Sequence, residues 1–203
     1  MIVVLVGKSA TGKDTILNNL VQDHSFERYV PCTTRPMRPG ETNGKEYYFL
    51  SEDEFTDKVE ANGFIESRSY HTLVNDVPAT WYYGTSILSQ EEIAKKNWAI
   101  ILDIDGAKNF SKHYGEQNCI IVGLTCAPEL RRIRALRRGG FDETEWRRRL
   151  EADDQDFAEF NSVIDNCFDT GNYSVTKVTY DVVKMINRVG RTEPDNVDLG
   201  DER

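Results

Sequence analysis

Gly7-Lys8-Ser9-Ala10-Thr11-Gly12-Lys13 fits the spacing G-x-x-x-x-G-K, and Asp14-Thr15 follows directly. The spacing has a physical reason. Glycines let the backbone wrap closely round phosphate oxygens, the amides at the start of a following helix point at them, and the lysine adds mobile positive charge. The flanks agree. Met1 to Val6 is a short β-branched run that ends in a glycine, which predicts a buried parallel strand. From Lys13 to Val21 the apolar residues Ile16, Leu17, Leu20 and Val21 recur at helical spacing. Strand, glycine loop and helix open a βαβ unit, so Gly7 to Thr15 is the candidate phosphate-binding loop.

Asp14 is the irregular member, because a Ser or Thr usually follows the lysine and reaches magnesium. Two readings stand. Asp14 contacts a magnesium ion through water, with Thr15 helping, or it favours the start of its helix through the dipole.

Further along, apolar runs at Trp98 to Ile104 and Cys119 to Cys126, with a weaker one at Ser162 to Ile164, alternate with helix-like segments such as Ser89 to Lys96. Alternation of this kind predicts an α/β fold, a parallel sheet covered on both faces. The stretch from Thr33 to Thr85 breaks the rhythm. It is rich in Tyr, Thr, Gly and Pro, with a candidate strand at Tyr47-Tyr48-Phe49-Leu50 and a capping box starting a helix at Ser51-Glu52-Asp53-Glu54. It reads as a small inserted lobe.

The whole chain sets bounds on these readings. Its 203 residues, 39% hydrophobic and 29% charged, suit one core with an inserted lobe. A net charge of -9 argues against a general nucleic-acid binder. Eight of the 15 arginines nevertheless lie between Arg131 and Arg149. That block marks either a local anionic ligand or two solvated helices whose arginines pair with Asp142, Glu143 and Glu145. Cys32, Cys119, Cys126 and Cys167 lack metal or redox spacing and read as reduced thiols. The run Ile2 to Val6 is too short for a signal peptide or membrane span, so cytoplasm is the expected location and no membrane partner is expected.

With the loop in place, Thr33-Thr34-Arg35-Pro36-Met37-Arg38-Pro39-Gly40-Glu41-Thr42-Asn43-Gly44-Lys45-Glu46-Tyr47-Tyr48-Phe49 resembles the guanylate kinase signature T-T-R-x-x-R-x-G-E-x-x-G-x-x-Y-x-F. Phe64-Ile65-Glu66, Tyr83-Gly84-Thr85 and Ile101-Leu102-Asp103-Ile104-Asp105 resemble further motifs of that family, and Arg134, Arg138 and Arg149 have the spacing of its lid arginines. The resemblance runs from Gly7 to about Asn166.

It implies a P-loop NTPase-type three-layer fold: a core over 1–32 and 86–190 with a helical lid at about 131–149, a monophosphate-binding lobe over 33–85, and a loose acidic tail over 191–203. It implies ATP-dependent phosphoryl transfer to GMP or dGMP, with Mg2+. Lys13, Arg38, Arg134, Arg138 and Arg149 then carry charge at the transferred group, because phosphoryl transfer needs charge stabilisation more than a base. Gly7, Lys8, Ser9, Ala10, Thr11, Gly12, Lys13, Asp14 and Thr15 hold ATP. Arg35, Arg38, Glu41, Tyr47, Glu66, Tyr83, Thr85 and Asp105 face the acceptor, guanidinium forks and phenols suiting phosphate. The Glu66 carboxylate accepts from guanine's ring N–H and amino group. Asp14, Thr15 and Asp103 hold the metal through water. Asp103 and Asp105 are expected to alternate on a strand and project the same way; capping of the next helix is the competing reading, for Asp105 in particular. Arg131, Arg132, Arg137, Arg147 and Arg148 do not match and read as solvated.

The chain departs from the family where a Ser hydroxyl usually helps read guanine: Pro31 stands there. The segment between Glu66 and Tyr83 is longer than usual, Gly106-Ala107 shortens the turn after Asp105, and the late Tyr-Asp and Asn-Asp pairs become Phe160-Asn161 and Asp165-Asn166. These changes leave a second acceptor class open, another nucleoside monophosphate or a ribose bisphosphate, and a non-catalytic binding module as a third reading. Oligomeric state is not legible.

Overall fold

The computed structural model describes residues 1–38, 40–74, 77–137 and 141–189. The elements run β1 (Ile2–Val6), α1 (Lys13–Asp23), β2 (Phe26–Arg28), β3 (Cys32–Thr33), β4 (Tyr48–Phe49), α2 (Glu52–Glu60), β5 (Phe64–Val74) and β6 (Val77–Ser86). They continue α3 (Gln90–Lys95), β7 (Asn97–Ile101), α4 (Ile104–Tyr114), β8 (Cys119–Thr125), α5 (Pro128–Arg137), α6 (Glu143–Asp156), α7 (Phe160–Val163), β9 (Asn166–Asp169) and α8 (Val175–Val189). Residues 191–203, expected as a loose tail, lie outside the described residues.

The core is a five-stranded parallel sheet in the order β2-β7-β1-β8-β9. β1 is central and every one of its residues is buried, which explains its unbroken apolar sequence. Its side chains alternate between two cores. Val3 and Leu5 pack with Ile16, Leu17 and Leu20 of α1 and Val178, Val182 and Ile186 of α8. Ile2, Val4 and Val6 pack with Ile104, Ala107 and Phe110 of α4 on the other face. Helices on both faces make the three layers expected. The strands β7 and β8 fall on the apolar runs read from sequence. The third run does not: Ser162 and Val163 belong to helix α7, and the last strand is β9, a few residues later. The 3.6-residue stripe Val178, Val182, Ile186 that forms α8 was not assigned from sequence.

A second, four-stranded sheet has the order β4-β3-β6-β5. Its long member is the antiparallel pair β5–β6, in register from Glu66↔Thr85 to Val74↔Val77. Helix α2 starts on the capping box at Ser51, whose hydroxyl accepts from the Glu54 amide at 3.1 Å. Phe55 of α2 stacks on Phe64 (4.7 Å between centroids). Gly84 lets these rings approach: a Cβ there would lie 2.9 Å from the Phe64 ring.

Candidate active site

The loop between β1 and α1 is tight. A Cβ at Gly7 would lie 2.5 Å from the Leu124 carbonyl oxygen, so β8 fixes that glycine. Ala10 (φ 62°) and Gly12 (φ 97°) both take the left-handed region, which turns the chain into α1. Thr11 is buried and its hydroxyl donates to the Lys8 carbonyl at 2.9 Å. Lys13 reaches back over the loop and donates to the carbonyls of Gly7 (2.5 Å) and Lys8 (3.0 Å).

Helix α6 lies against this loop. The Asp153 carboxylate accepts from the Ser9 amide (2.8 Å) and hydroxyl (3.2 Å). Arg131 of α5 donates to the same carboxylate at 3.1 Å and to the Ser9 carbonyl at 3.3 Å. Both partners are buried. Arg131 is therefore not the solvated residue expected from sequence, because tertiary packing brings α5 and α6 together over Ser9. Lys8 pairs with Asp154, one residue on, at 2.5 Å.

Arg35 is 4% exposed. Its guanidinium binds both Glu41 oxygens, at 2.7 and 3.0 Å, and donates to the Pro36 carbonyl at 2.7 Å. Glu41 also accepts from the Arg38 amide at 2.7 Å. The Arg35 hydrogen bond holds the Glu41 carboxyl below the usual range, while burial of Arg35 is outweighed by Glu41 so that the guanidinium sits above its ordinary value. The Arg35 guanidinium lies 5.6 Å from the Tyr47 centroid, and Tyr47 meets Tyr83 edge to face at 5.9 Å. Burial pushes the Tyr47 phenol up, against the pull of Arg35 and Arg68. One cavity of about 390 Å³ gathers Arg35, Arg38, Glu41, Tyr47 and Tyr83 from the smaller sheet's side with Asp14 and Arg149.

A neighbouring cavity of about 250 Å³ joins Gly7 and Lys13 of the loop to Pro31, Tyr47, Glu66, Arg68, Tyr83, Thr85 and Asp103. Here Thr85 donates to Glu66 at 3.0 Å. A third and larger one, about 790 Å³, is lined by Ser9, Arg38, Arg68, Tyr70, Trp81, Tyr83, Arg148 and Arg149. Arg38 and Arg149 thus line the same cavity. Arg148, expected as solvated, lies over the Tyr70 ring at 5.4 Å, linking α6 to the β5–β6 hairpin.

Asp103 and Asp105 do not alternate on a strand, because β7 ends at Ile101. Asp103 is the N-cap of α4, accepting from the Gly106 amide at 2.8 Å, and its other oxygen pairs with Arg68. Asp105 is exposed on the first turn of α4, 3.7 Å from Lys108 and outside the cavities just described. Arg134 is also kept from these cavities. It donates to the hydroxyl (2.9 Å) and carbonyl (2.7 Å) of Thr170 and to the Thr11 carbonyl (3.3 Å), and it lines a separate cavity with Ala10, Gly12, Thr15 and Arg137. Arg138 lies outside the described residues.

Among the described residues no three carboxylate, His or Cys side chains cluster as metal ligands. Asp14 and Asp103 open onto adjoining cavities, and Thr15 opens onto another. Two separated carboxylates fit a hydrated magnesium ion carried mainly by nucleotide phosphates, as the ion prefers. Among the described residues no helix is long and apolar enough to cross a membrane.

Sequence reasoning missed Asp153, Thr170 and Arg68. Thr170 sits at the C-terminal end of β9, buried, donating to the Thr11 carbonyl at 2.6 Å. Asp165, by contrast, lies before β9, accepting from the Ile121 amide at 2.7 Å, and is remote from the loop. Period-2 alternation from Glu66 would have found Arg68. Nothing local links Asp153 to Ser9.

Comparison with known proteins gives one answer. The family described as "Guanylate kinase" matches residues 1–179. The chain is 32% identical over 201 residues to a guanylate kinase of Clostridium tetani, covering 98% of this chain and 88% of that one. It is 35% identical over 142 residues to the Porphyromonas gingivalis enzyme, covering 68% and 72%. The crystal structure of guanylate kinase from Anaplasma phagocytophilum shares the fold, with a TM-score of 0.65 at 21% identity over 96% of this chain and 87% of that one.

Proposed function

The chain belongs to the guanylate kinase family, and from that premise we propose that it moves the γ-phosphoryl group of ATP to the phosphate of GMP or dGMP, leaving ADP and GDP or dGDP. One observation supports this most: the loop residues Gly7 and Lys13 line the same cavity as Glu66, Thr85, Tyr47 and Tyr83. A donor cradle and an acceptor pocket therefore open directly onto each other, the arrangement that in-line transfer requires.

In this reading residues 33–85 are the acceptor lobe and about 131–149 the lid. Arg35, Arg38, Tyr47 and Tyr83 hold the acceptor phosphate, with Glu41 orienting Arg35. Glu66 takes the guanine N–H groups and Thr85 orients Glu66. Lys13, Arg38 and Arg149 surround the transferred group with positive charge. Arg134 acts from below, bracing the loop through Thr11 and Thr170. Asp14 and Asp103 would hold a magnesium ion through its water, and the ion would supply positive charge to the nucleotide phosphates. The proposed substrates, ATP and GMP, are soluble metabolites, and the cytoplasm is the compartment proposed for the reaction.

The test is ADP release in the presence of ATP and magnesium over GMP, dGMP, AMP, CMP, UMP and ribose bisphosphate. GMP or dGMP is expected as the best acceptor. A better ribose bisphosphate substrate, or ATP binding with no turnover of any acceptor, overturns the proposal.

A further inference from the structure

The acceptor-facing wall of the β5–β6 hairpin is a ladder of cross-strand pairs: Glu66 opposite Thr85, Arg68 opposite Tyr83, Tyr70 opposite Trp81. Residues two apart on a strand share a face. All six residues line the cavities of the cleft accordingly. Glu66 offers only acceptors, and guanine also presents acceptors of its own at O6 and N7. Those atoms need donors if they are to be desolvated.

Few donors are left for them. Pro31, in the same cavity, has a ring without a donor, Thr85 directs its hydroxyl at Glu66, and the phenols of Tyr47 and Tyr83 go to the acceptor phosphate in the proposed reading. Two cations line this cavity among the described residues, Lys13 and Arg68. Lys13 is held on the Gly7 and Lys8 carbonyls. Arg68 stands one strand step, about 6.6 Å, beyond Glu66 on the same face, a distance comparable with the width of a purine. Asp103 grips it from the core, and Asp103 is itself fixed by the Gly106 amide. One carboxylate oxygen engages part of a guanidinium, which carries five N–H donors in a rigid fork.

Resting on the guanylate kinase reading, we propose that Arg68 is a specificity-determining residue that donates to the O6 and N7 edge of the acceptor guanine, with Asp103 as its positioning partner. Glu66 and Arg68 then read adjoining edges of one base, the N–H edge and the O6/N7 edge. Adenine, with a donor in place of O6, meets the Arg68 fork with the wrong group.

The experiment compares wild type, Arg68→Met and Arg68→Lys on GMP and on 7-deaza-GMP, which lacks the N7 acceptor. For each protein, kcat/KM is measured, and the affinity for each nucleotide is measured by calorimetry without ATP. Arg68→Met is expected to lower GMP affinity and kcat/KM about 10- to 100-fold, the range one bidentate guanidinium–guanine pair supplies. Its penalty on 7-deaza-GMP is expected to be several-fold smaller, because one of the two bonds is already missing. Arg68→Lys, a point donor without the fork, falls between. The ratio of the two nucleotides within each variant cancels any loss of folded protein. Equal penalties on both nucleotides, or none, overturn the proposal. If wild type binds GMP with this ratio but transfers nothing, the kinase reading fails and the Arg68 assignment stands; if it does not bind GMP, both fail.

Discussion

The Asp153 carboxylate of α6 sits on the Ser9 backbone amide of the phosphate loop at 2.8 Å. An amide of that loop is thus engaged by an anion of the chain itself, and the same carboxylate neutralises buried Arg131 at 3.1 Å. Removing one member of a buried pair leaves the other charge desolvated, at a cost of about 3–5 kcal/mol. Asp153→Ala should therefore lose stability on that scale in urea denaturation. Arg131→Met with Asp153→Leu should recover most of it. A loss below about 1 kcal/mol in Asp153→Ala would show that water reaches the pair.

In the proposed reading Lys13 supplies the mobile charge of the loop, and it donates to the backbone carbonyls of Gly7 and Lys8. Lys13→Ala should abolish transfer, with kcat/KM falling at least about 100-fold, while the circular dichroism spectrum stays unchanged. Asp14→Ser should keep activity and alter its magnesium dependence. A large loss of kcat at saturating magnesium in Asp14→Ser would reveal a role for the aspartate beyond the ion.

Glu41 is held below the usual carboxylate range by Arg35. A depressed folded value stabilises above the unfolded pKa of about 4.3 and is lost as pH falls through the folded value. The stability gap between wild type and Glu41→Gln should be full at neutral pH and shrink below about pH 4 in pH-dependent unfolding. A gap that is constant with pH contradicts the ion pair.

Thr170 ties β9 to the loop: it donates to the Thr11 carbonyl at 2.6 Å and accepts from Arg134 at 2.9 Å. Thr170→Val keeps the shape and removes the hydroxyl. It should cost about 1–3 kcal/mol and raise KM for ATP more than KM for GMP. Equal changes in both constants would place Thr170 outside the donor side.

Arg148 over Tyr70 joins α6 to the hairpin. A double-mutant cycle with Arg148→Ala and Tyr70→Ala should give a coupling of about 0.5–1 kcal/mol, as exposed cation–π pairs do. Zero coupling would mean that the two elements do not hold each other in solution.

How much of this was legible beforehand follows from the range of each interaction. The run Ile2–Val6, the glycine loop and α1 are contiguous, and their periodicities state strand, turn and helix directly. The Ser51 capping box is equally local. The strand placed at Ser162–Ile164 was misjudged because a short apolar run does not separate a helix from a strand. The strand reading of Asp103 and Asp105 fails because β7 ends at Ile101 and α4 begins at Ile104, so the two share no strand face; the competing capping reading holds for Asp103, which caps α4, and not for Asp105.

The sequence by itself determined the phosphate loop, the parallel core and the order of the family's motifs, because each rests on residues within a few positions of one another. Only the tertiary structure decided which charges meet. Asp153 reaches Ser9 across 144 positions, Thr170 reaches Thr11 across 159, and Arg68 reaches Asp103 between the two sheets. Such pairs depend on how helices and strands pack after the chain has closed long loops. For the same reason Arg134 and Arg149, one motif in the sequence, stand in different cavities of the fold.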